Sequence, residues 1–113
     1  MTSDAWTDVG SLEDFPAFRP RLVRVGGGRL AVVRTADAGD GSPKIAAFDD
    51  ACPHAADPLS GGFCVENRLV CRAHGFAFDL DTGNCTAGER SMRLVTRAAR
   101  AVGGRVEVAN GSA

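Results

Sequence analysis

Two short Cys/His pairs near the middle of the chain constrain its fold more than any other feature. The first pair is Cys52 and His54, the second is Cys71 and His74, and sixteen residues separate His54 from Cys71. Both pairs lie between short apolar segments, which places them on loops rather than on a helix. Because thiolates and imidazoles are metal ligands, the pattern predicts a metal site built from two loops.

The order of the four candidate ligands narrows the kind of metal site. A structural zinc finger usually groups Cys-x2–4-Cys before His-x3–5-His. In this chain each loop presents Cys first and His second. That order allows one iron of a two-iron, two-sulfide cluster to bind both cysteines while the other iron binds both histidines. Zinc is the alternative metal, since soft thiolates and imidazoles also accept it.

Short apolar segments bounded by glycine and other turn residues predict an all-β fold of eight to ten strands. The segments are Arg21–Val25, Arg29–Arg34, Lys44–Phe48, Arg68–Cys71, Phe76–Leu80, Leu94–Val102 and Arg105–Ala109. Gly26–Gly28 predicts a three-residue hairpin loop, and Gly103-Gly104 a two-residue turn. Ser11–Phe15 predicts a single helical turn, and residues 35–43 a polar loop outside the core. We expect a small antiparallel β-sandwich or a partly open barrel.

Arginines are frequent near the end of the chain, at positions 90, 93, 97, 100 and 105. The spacing of the first four would also suit one face of a helix, but the Gly-Gly turn favours strands. We interpret the arginines as a solvated sheet face, with a docking patch for an acidic partner as the alternative. The single tryptophan, Trp6, is interpreted as a core anchor.

Four further side chains could carry chemistry and are given structural interpretations. Cys64 and Cys85 lie outside the two Cys/His pairs, so we interpret them as half-buried free thiols. A disulfide between them or a redox-sensing role is the alternative. Asp79 and Asp81 lie in Asp-x-Asp-Thr-Gly, which is favourable turn chemistry, so we expect solvated turn residues rather than a catalytic pair.

Length and charge exclude several function classes. A chain of 113 residues suffices for one domain but not for a redox domain together with a catalytic domain. A net charge of −1 gives no reason to expect nucleic acid or an anionic membrane as partner. No apolar run approaches the roughly 20 residues that cross a bilayer. The N-terminal segment has no signal-peptide pattern, so we expect a cytoplasmic protein whose cysteines are ligands or thiols.

The two Cys/His segments resemble the cluster loops of the Rieske iron–sulfur family, and of its ferredoxins in particular. The segment CPHAADPLSGG is similar to the first loop, with Leu59, Ser60 and Gly62 matching its Leu-Ser-x-Gly. The segment CRAHGFAFDLDTGNC is similar to the second loop, including its His-Gly and Thr-Gly pairs. About 105 of the 113 residues can be placed on the family pattern.

The resemblance implies a single Rieske [2Fe-2S] domain over residues 1–113, with a cluster-binding subdomain formed by loops at about 50–62 and 70–83. It implies that Cys52 and Cys71 bind one iron and that His54 and His74 bind the other through Nδ1. It further implies an electron carrier without a substrate of its own, working between a flavin-dependent reductase and a Rieske oxygenase. Gly75 would let backbone amides approach the sulfides.

Several departures from the family pattern affect the expected potential. High-potential Rieske proteins have a disulfide between the two loops, but Asp57 and Ala73 occupy the corresponding positions here. Phe76 replaces a serine that donates to sulfur, and the chain has no tyrosine. We therefore expect a potential in the lower half of the family range. The third loop, residues 86–93, lacks its usual proline, and Ala56 and Arg72 replace a common glycine and proline.

Two other functions are compatible with the pattern. One is the small subunit of an assimilatory nitrite reductase, a family that shares this fold and length. The other is a regulatory or zinc-bound module. The retained ligands and the His-Gly-Phe-x-Phe-Asp segment favour the ferredoxin.

Overall fold

The computed structural model describes residues 6–37, 39–52, 58–72, 75–89 and 91–109, and within them eleven strands form three antiparallel sheets. The strands are β1 (Trp6–Ser11), β2 (Arg21–Val25), β3 (Gly28–Arg34), β4 (Ile45–Asp49), β5 (Phe63–Val65), β6 (Arg68–Val70), β7 (Ala77–Asp79), β8 (Cys85–Ala87), β9 (Thr96–Arg97), β10 (Ala99–Val102) and β11 (Arg105–Ala109). The sheets have the orders β1-β11-β10, β2-β3-β4-β9 and β5-β6-β7-β8. The predicted all-β class is confirmed, and these sheets do not close into a barrel within the described ranges.

The middle sheet, β2-β3-β4-β9, separates two hydrophobic cores. Alternate side chains of a strand point to opposite faces, and β3 uses this to contribute to both. Leu30 and Val32 pack in the core shared with the β1-β11-β10 sheet, whereas Ala31 and Val33 pack with the β5-β6-β7-β8 sheet. A strand buried on both faces is expected to be a continuous apolar run. This explains why the sequence of β3 shows no polar alternation.

Both hairpin turns lie at the predicted glycines, but only one of them has the predicted length. Gly103 and Gly104 have φ of +58° and +80° and join β10 to β11, as expected of a two-residue turn with both central residues left-handed. The loop before β3 is shorter than predicted. Gly28 pairs with Val25, so the turn has two residues rather than three.

The prediction of one strand over Leu94–Val102 was wrong. Thr96–Arg97 pairs with β4, whereas Ala99–Val102 pairs with β11 in a different sheet. The chain crosses between sheets at Ala98, whose carbonyl accepts a hydrogen bond from Ala109 N–H at 2.8 Å. The alternative helix is also excluded, because these residues are paired as strands.

The N-terminal expectations had mixed outcomes. Leu12–Asp14 forms the predicted helical turn, capped by the Ser11 side chain. Trp6 was wrongly predicted as a core anchor, because it is only half-buried and the Arg100 guanidinium lies 3.9 Å from its ring centroid. Phe15, fully buried after the helical turn, supplies the aromatic core residue of this region. Residue Thr35 is also buried, although its loop was expected to lie outside the core.

Candidate metal centre

The two candidate thiolate ligands lie at the ends of strands from two different sheets. Cys52 follows β4 of the middle sheet, and Cys71 directly follows β6. Their exposed fractions are 1% and 0%, and both belong to the packed cluster that contains Leu59, Leu69 and Phe78. None of the four cysteines, all of which are described, forms a disulfide. The fold therefore gathers two thiols in one apolar environment, which suits the sulfur-ligated iron of a mixed Cys/His cluster.

The two histidine candidates, His54 and His74, lie outside the described residues. Within the described part of the chain, no three His, Cys, Asp or Glu side chains are placed so that they could hold a metal ion together. The assignment of the imidazole ligands consequently stays a prediction. Asp57, Ala56 and Ala73, which carry the expected differences from high-potential relatives, are also outside the described ranges.

The second cluster loop is closed by its own backbone. Cys71 N–H donates to the Phe76 carbonyl at 2.8 Å, and Gly75 N–H donates to the Cys71 carbonyl at 2.9 Å. Gly75 has φ of +74°, a conformation that favours glycine. A Cβ built on Gly75 would meet nothing within 4 Å, so the described protein atoms require this glycine only for its conformation. Crowding by sulfides stays a prediction.

The described ends of the first cluster loop are joined by a buried carboxylate that the sequence pattern did not identify. Both oxygens of Asp50 accept hydrogen bonds from Ser60, one from its backbone N–H and one from its hydroxyl, each at 2.7 Å. Asp50 precedes the predicted ligands and Ser60 follows them. The available signals were the position of Asp50 two residues before Cys52 and the serine of the Leu-Ser-x-Gly match.

The third loop contacts the second one through Gly88. This glycine has φ of +120°, and a Cβ built on it would lie 2.7–2.9 Å from three ring atoms of Phe76. The loop backbone therefore rests directly against that ring. Phe76 comes immediately after Gly75, so the third loop contacts the second cluster loop even without the usual proline.

The cysteines outside the Cys/His pairs differ from each other. Cys64 is half-buried, as predicted, and burial raises the pKa of its thiol to about 11. Cys85 is fully buried rather than half-buried, and its Sγ donates to the Ala87 carbonyl at 3.3 Å. The interpretation as a solvated turn residue is confirmed for Asp81, whereas Asp79 is the half-buried last residue of β7 and contacts the turn through its side chain. Asp79 Oδ1 accepts from the Asp81 N–H at 2.6 Å, and Asp81 pairs with Lys44 at 3.3 Å.

The arginines at the end of the chain largely pair with nearby carboxylates. Arg97 pairs with Asp49 at 3.0 Å and Arg100 with Glu107 at 2.7 Å. Arg105 makes two 3.0 Å bonds to Asp8. Hydrogen bonding from Arg105, followed by the Gly10 N–H, holds the pKa of Asp8 below its ordinary value. The solvated-face interpretation is confirmed for Arg100 and Arg105, whereas Arg97 is half-buried and Arg90 lies outside the described residues.

Two buried thiols, at the ends of strands from two antiparallel sheets and beside loops whose described ends are joined by hydrogen bonds, define a β domain suited to a cluster. The chain belongs to the Rieske [2Fe-2S] domain family, whose model matches residues 5–98. Proteins of this family carry the Rieske-type [2Fe-2S] cluster, and the described thiols fit its cysteine-ligated half.

Known proteins similar to this chain include ferredoxins of oxygenase systems. The ferredoxin component of naphthalene 1,2-dioxygenase/salicylate 5-hydroxylase systems from Ralstonia sp. is 31% identical over 83 residues, covering 72% of this chain and 74% of that protein. A chain in a complex of reduced oxygenase and oxidized ferredoxin in carbazole 1,9a-dioxygenase is 29% identical, with a TM-score of 0.80 and 98% of both chains covered.

Other matches are less informative about function. A structure named as an NADH-dependent nitrite reductase small subunit from Mycobacterium tuberculosis has a TM-score of 0.79 over 96% of both chains. At 23% identity, this likeness shows the fold alone. The chain spans only 12–16% of the length of the first four curated relatives that it matches.

No helix in the described ranges is long and apolar enough to cross a membrane.

Proposed function

We propose that this chain is a one-electron carrier of a Rieske oxygenase system. It would receive an electron from a flavin-dependent reductase and pass it to the oxygenase component. The observation that carries the proposal is the burial of Cys52 and Cys71 in one apolar cluster at the ends of β4 and β6. The mutual coverage with a ferredoxin component supports a carrier rather than an oxygenase. Four cysteines without a disulfide suit a reducing compartment such as the cytoplasm.

In this proposal, Cys52 and Cys71 hold one iron and His54 and His74 hold the other. When bound, the cluster supplies a one-electron couple, which lies at about −150 to +300 mV in this class. The packed side chains of Leu59, Leu69 and Phe78 keep water away from the two thiolates. At position 76 a phenylalanine offers no hydroxyl to a sulfide. Because hydrogen bonds to sulfur are one determinant of potential, we place this potential in the lower half of the range.

Cluster content tests the proposal directly. Chain purified without oxygen and supplied with iron and sulfide should contain both in equal amounts and give a paramagnetic signal on one-electron reduction. His74→Cys should lower the potential or lose the cluster, since a thiolate adds negative charge to the histidine-ligated iron. Cys64→Ser, which changes a thiol outside the proposed ligand set, should alter neither property.

Electron transfer is tested with partners. The loaded chain should be reduced by a flavin-dependent reductase and NADH, and should then support product formation by a Rieske oxygenase. Folded protein that holds zinc, or that contains neither iron nor acid-labile sulfide, would contradict the proposal. So would loaded protein that no such reductase can reduce.

A further inference from the structure

Asp50 is a buried carboxylate with no part in the proposed ligand set. Its side chain is 0% exposed, and it directly follows β4, at the start of the first cluster loop. Its two oxygens accept from the backbone N–H and the hydroxyl of Ser60. These two residues therefore join the start of the loop to its end. We call this pair the Asp50–Ser60 clasp.

The clasp is attached to strands on both sides. Asp50 N–H donates to the Arg29 carbonyl of β3 at 3.0 Å, and the Arg29 guanidinium lies 3.9 Å from the carboxylate. Ser60 belongs to the short 3-10 turn that ends at Gly61. A Cβ built on the next residue, Gly62, would lie 2.2 Å from the Val70 carbonyl. Directly after the clasp, the backbone at Gly62 therefore contacts the end of β6, next to Cys71.

A buried carboxylate is costly unless hydrogen bonds replace its water. The Arg29 guanidinium is half-exposed, and at 3.9 Å it is too far from the carboxylate for a hydrogen bond. Among the described residues, the two 2.7 Å bonds from Ser60 are therefore the main substitute for the water that the carboxylate has lost. Hydrogen bonds to charged groups are the stronger ones. Opening the loop would break both bonds at once. Cys52, two residues after Asp50, is itself buried in the core beside this contact.

We propose that Asp50 and Ser60 are positioning residues, whose bonds hold the two ends of the first cluster loop together and so keep Cys52 in place. The inference rests on the proposed function for its role in cluster retention. The Asp50–Ser60 clasp is made by the chain's own residues, so its effect on Cys52 can be measured with or without the cluster.

Cluster retention is the first measurement. Where loss requires a local opening of the loop, its rate is proportional to the equilibrium constant for that opening. Ser60→Ala removes one of the two bonds, and should speed the bleaching of visible absorbance in excess chelator by about tenfold. Ser60→Thr, which keeps the hydroxyl, should restore a rate within about twofold of the unchanged chain. Asp50→Ala should lose the cluster at least as fast as Ser60→Ala.

Thiol accessibility is the second measurement and needs no cluster. In cluster-free chain, iodoacetamide labelling of Cys52, located by mass spectrometry, should be about tenfold faster in Ser60→Ala. Labelling of buried Cys85 on β8 reports wider unfolding and should be unchanged. If Asp50→Ala fails to fold, the two Ser60 variants decide the outcome.

The Asp40–Ser42 pair provides a matched control. Ser42 also donates from its N–H and its hydroxyl to an aspartate, at 2.9 and 2.6 Å, but on an exposed loop. Ser42→Ala should change neither rate. The inference is overturned if Ser60→Ala labels Cys52 at the unchanged rate, or if Cys52 and Cys85 accelerate together. If the unchanged chain binds no iron or sulfide, the proposed function fails, whereas the labelling result still decides the clasp.

Discussion

The contact between Gly88 and Phe76 predicts that the third loop tolerates no side chain at position 88. A Cβ there would lie 2.7, 2.8 and 2.9 Å from ring atoms Cδ2, Cγ and Cε2. Ordinary carbon contacts are about 3.5–4.0 Å. In Gly88→Ala, the ring or the loop must therefore move by roughly 1 Å. Either movement disturbs the second cluster loop, since Phe76 follows Gly75 directly.

The size of the effect follows from two separate costs. Forcing extra atoms into a packed contact typically costs about 1–3 kcal/mol. The backbone at φ of +120° adds about 1–3 kcal/mol for a residue with a Cβ. We therefore expect Gly88→Ala to lower the free energy of unfolding by about 2–6 kcal/mol. That is a large part of the roughly 5–15 kcal/mol available to a small domain.

Urea unfolding followed by circular dichroism measures this change. Gly104→Ala is the matched control, because Gly104 also has a positive φ, +80°, but a Cβ there would meet nothing within 4 Å. We expect it to cost only about 1–2 kcal/mol. Adding Phe76→Ala to Gly88→Ala should recover the packing part of the cost, and a double-mutant cycle would isolate it. Equal destabilisation by Gly88→Ala and Gly104→Ala would refute the reasoning.

Three further predictions concern the cluster and the surface. Phe76→Ser should raise the midpoint potential measured by protein-film voltammetry, because it supplies the hydroxyl of high-potential relatives; an unchanged potential would contradict the expected role of position 76. Leu69→Ala should destabilise the chain by about 2–5 kcal/mol in urea unfolding, because this fully buried side chain packs in the cluster that contains Cys71; a cost below 1 kcal/mol would be evidence against that packing. Because the pKa of Asp8 is lowered in the folded chain, its pairing with Arg105 should stabilise the fold above about pH 4 and be lost in more acid solution. Urea midpoints at pH 7 and pH 3 should therefore differ less in Arg105→Gln than in the unchanged chain.

Local patterns in the sequence were sufficient for most strands and turns. The bounds of β2 and β11 agree with the apolar segments. The Gly103-Gly104 turn was predictable because its conformation depends on the two glycines themselves and the strands next to them. The division between β9 and β10 could not be predicted in this way. β9 pairs with β4 and β10 pairs with β11 because those strands lie alongside them in the fold. The residues of 94–102 contain no local signal for which strand each part will pair with.

The same distinction applies to the site. Residue type, order and spacing selected the four candidate ligands, and two of them, Cys52 and Cys71, are brought into one buried cluster. The contacts that stabilise their loops were not foreseen. Asp50 and Ser60 are ten residues apart, and Gly88 contacts Phe76 from a separate loop. Such contacts depend on how loops are packed, which a residue pattern does not specify.

By itself, the sequence determined the family, because its candidate metal ligands are recognised by their chemical type and their order. It also determined the all-β class, since short apolar runs between glycines are a local property of the chain. Only the tertiary structure decided that Asp50 is bonded to Ser60 and that Gly88 lies against Phe76. The physical reason is that burial and close approach arise between segments distant along the chain, and they exist only once the three sheets are assembled.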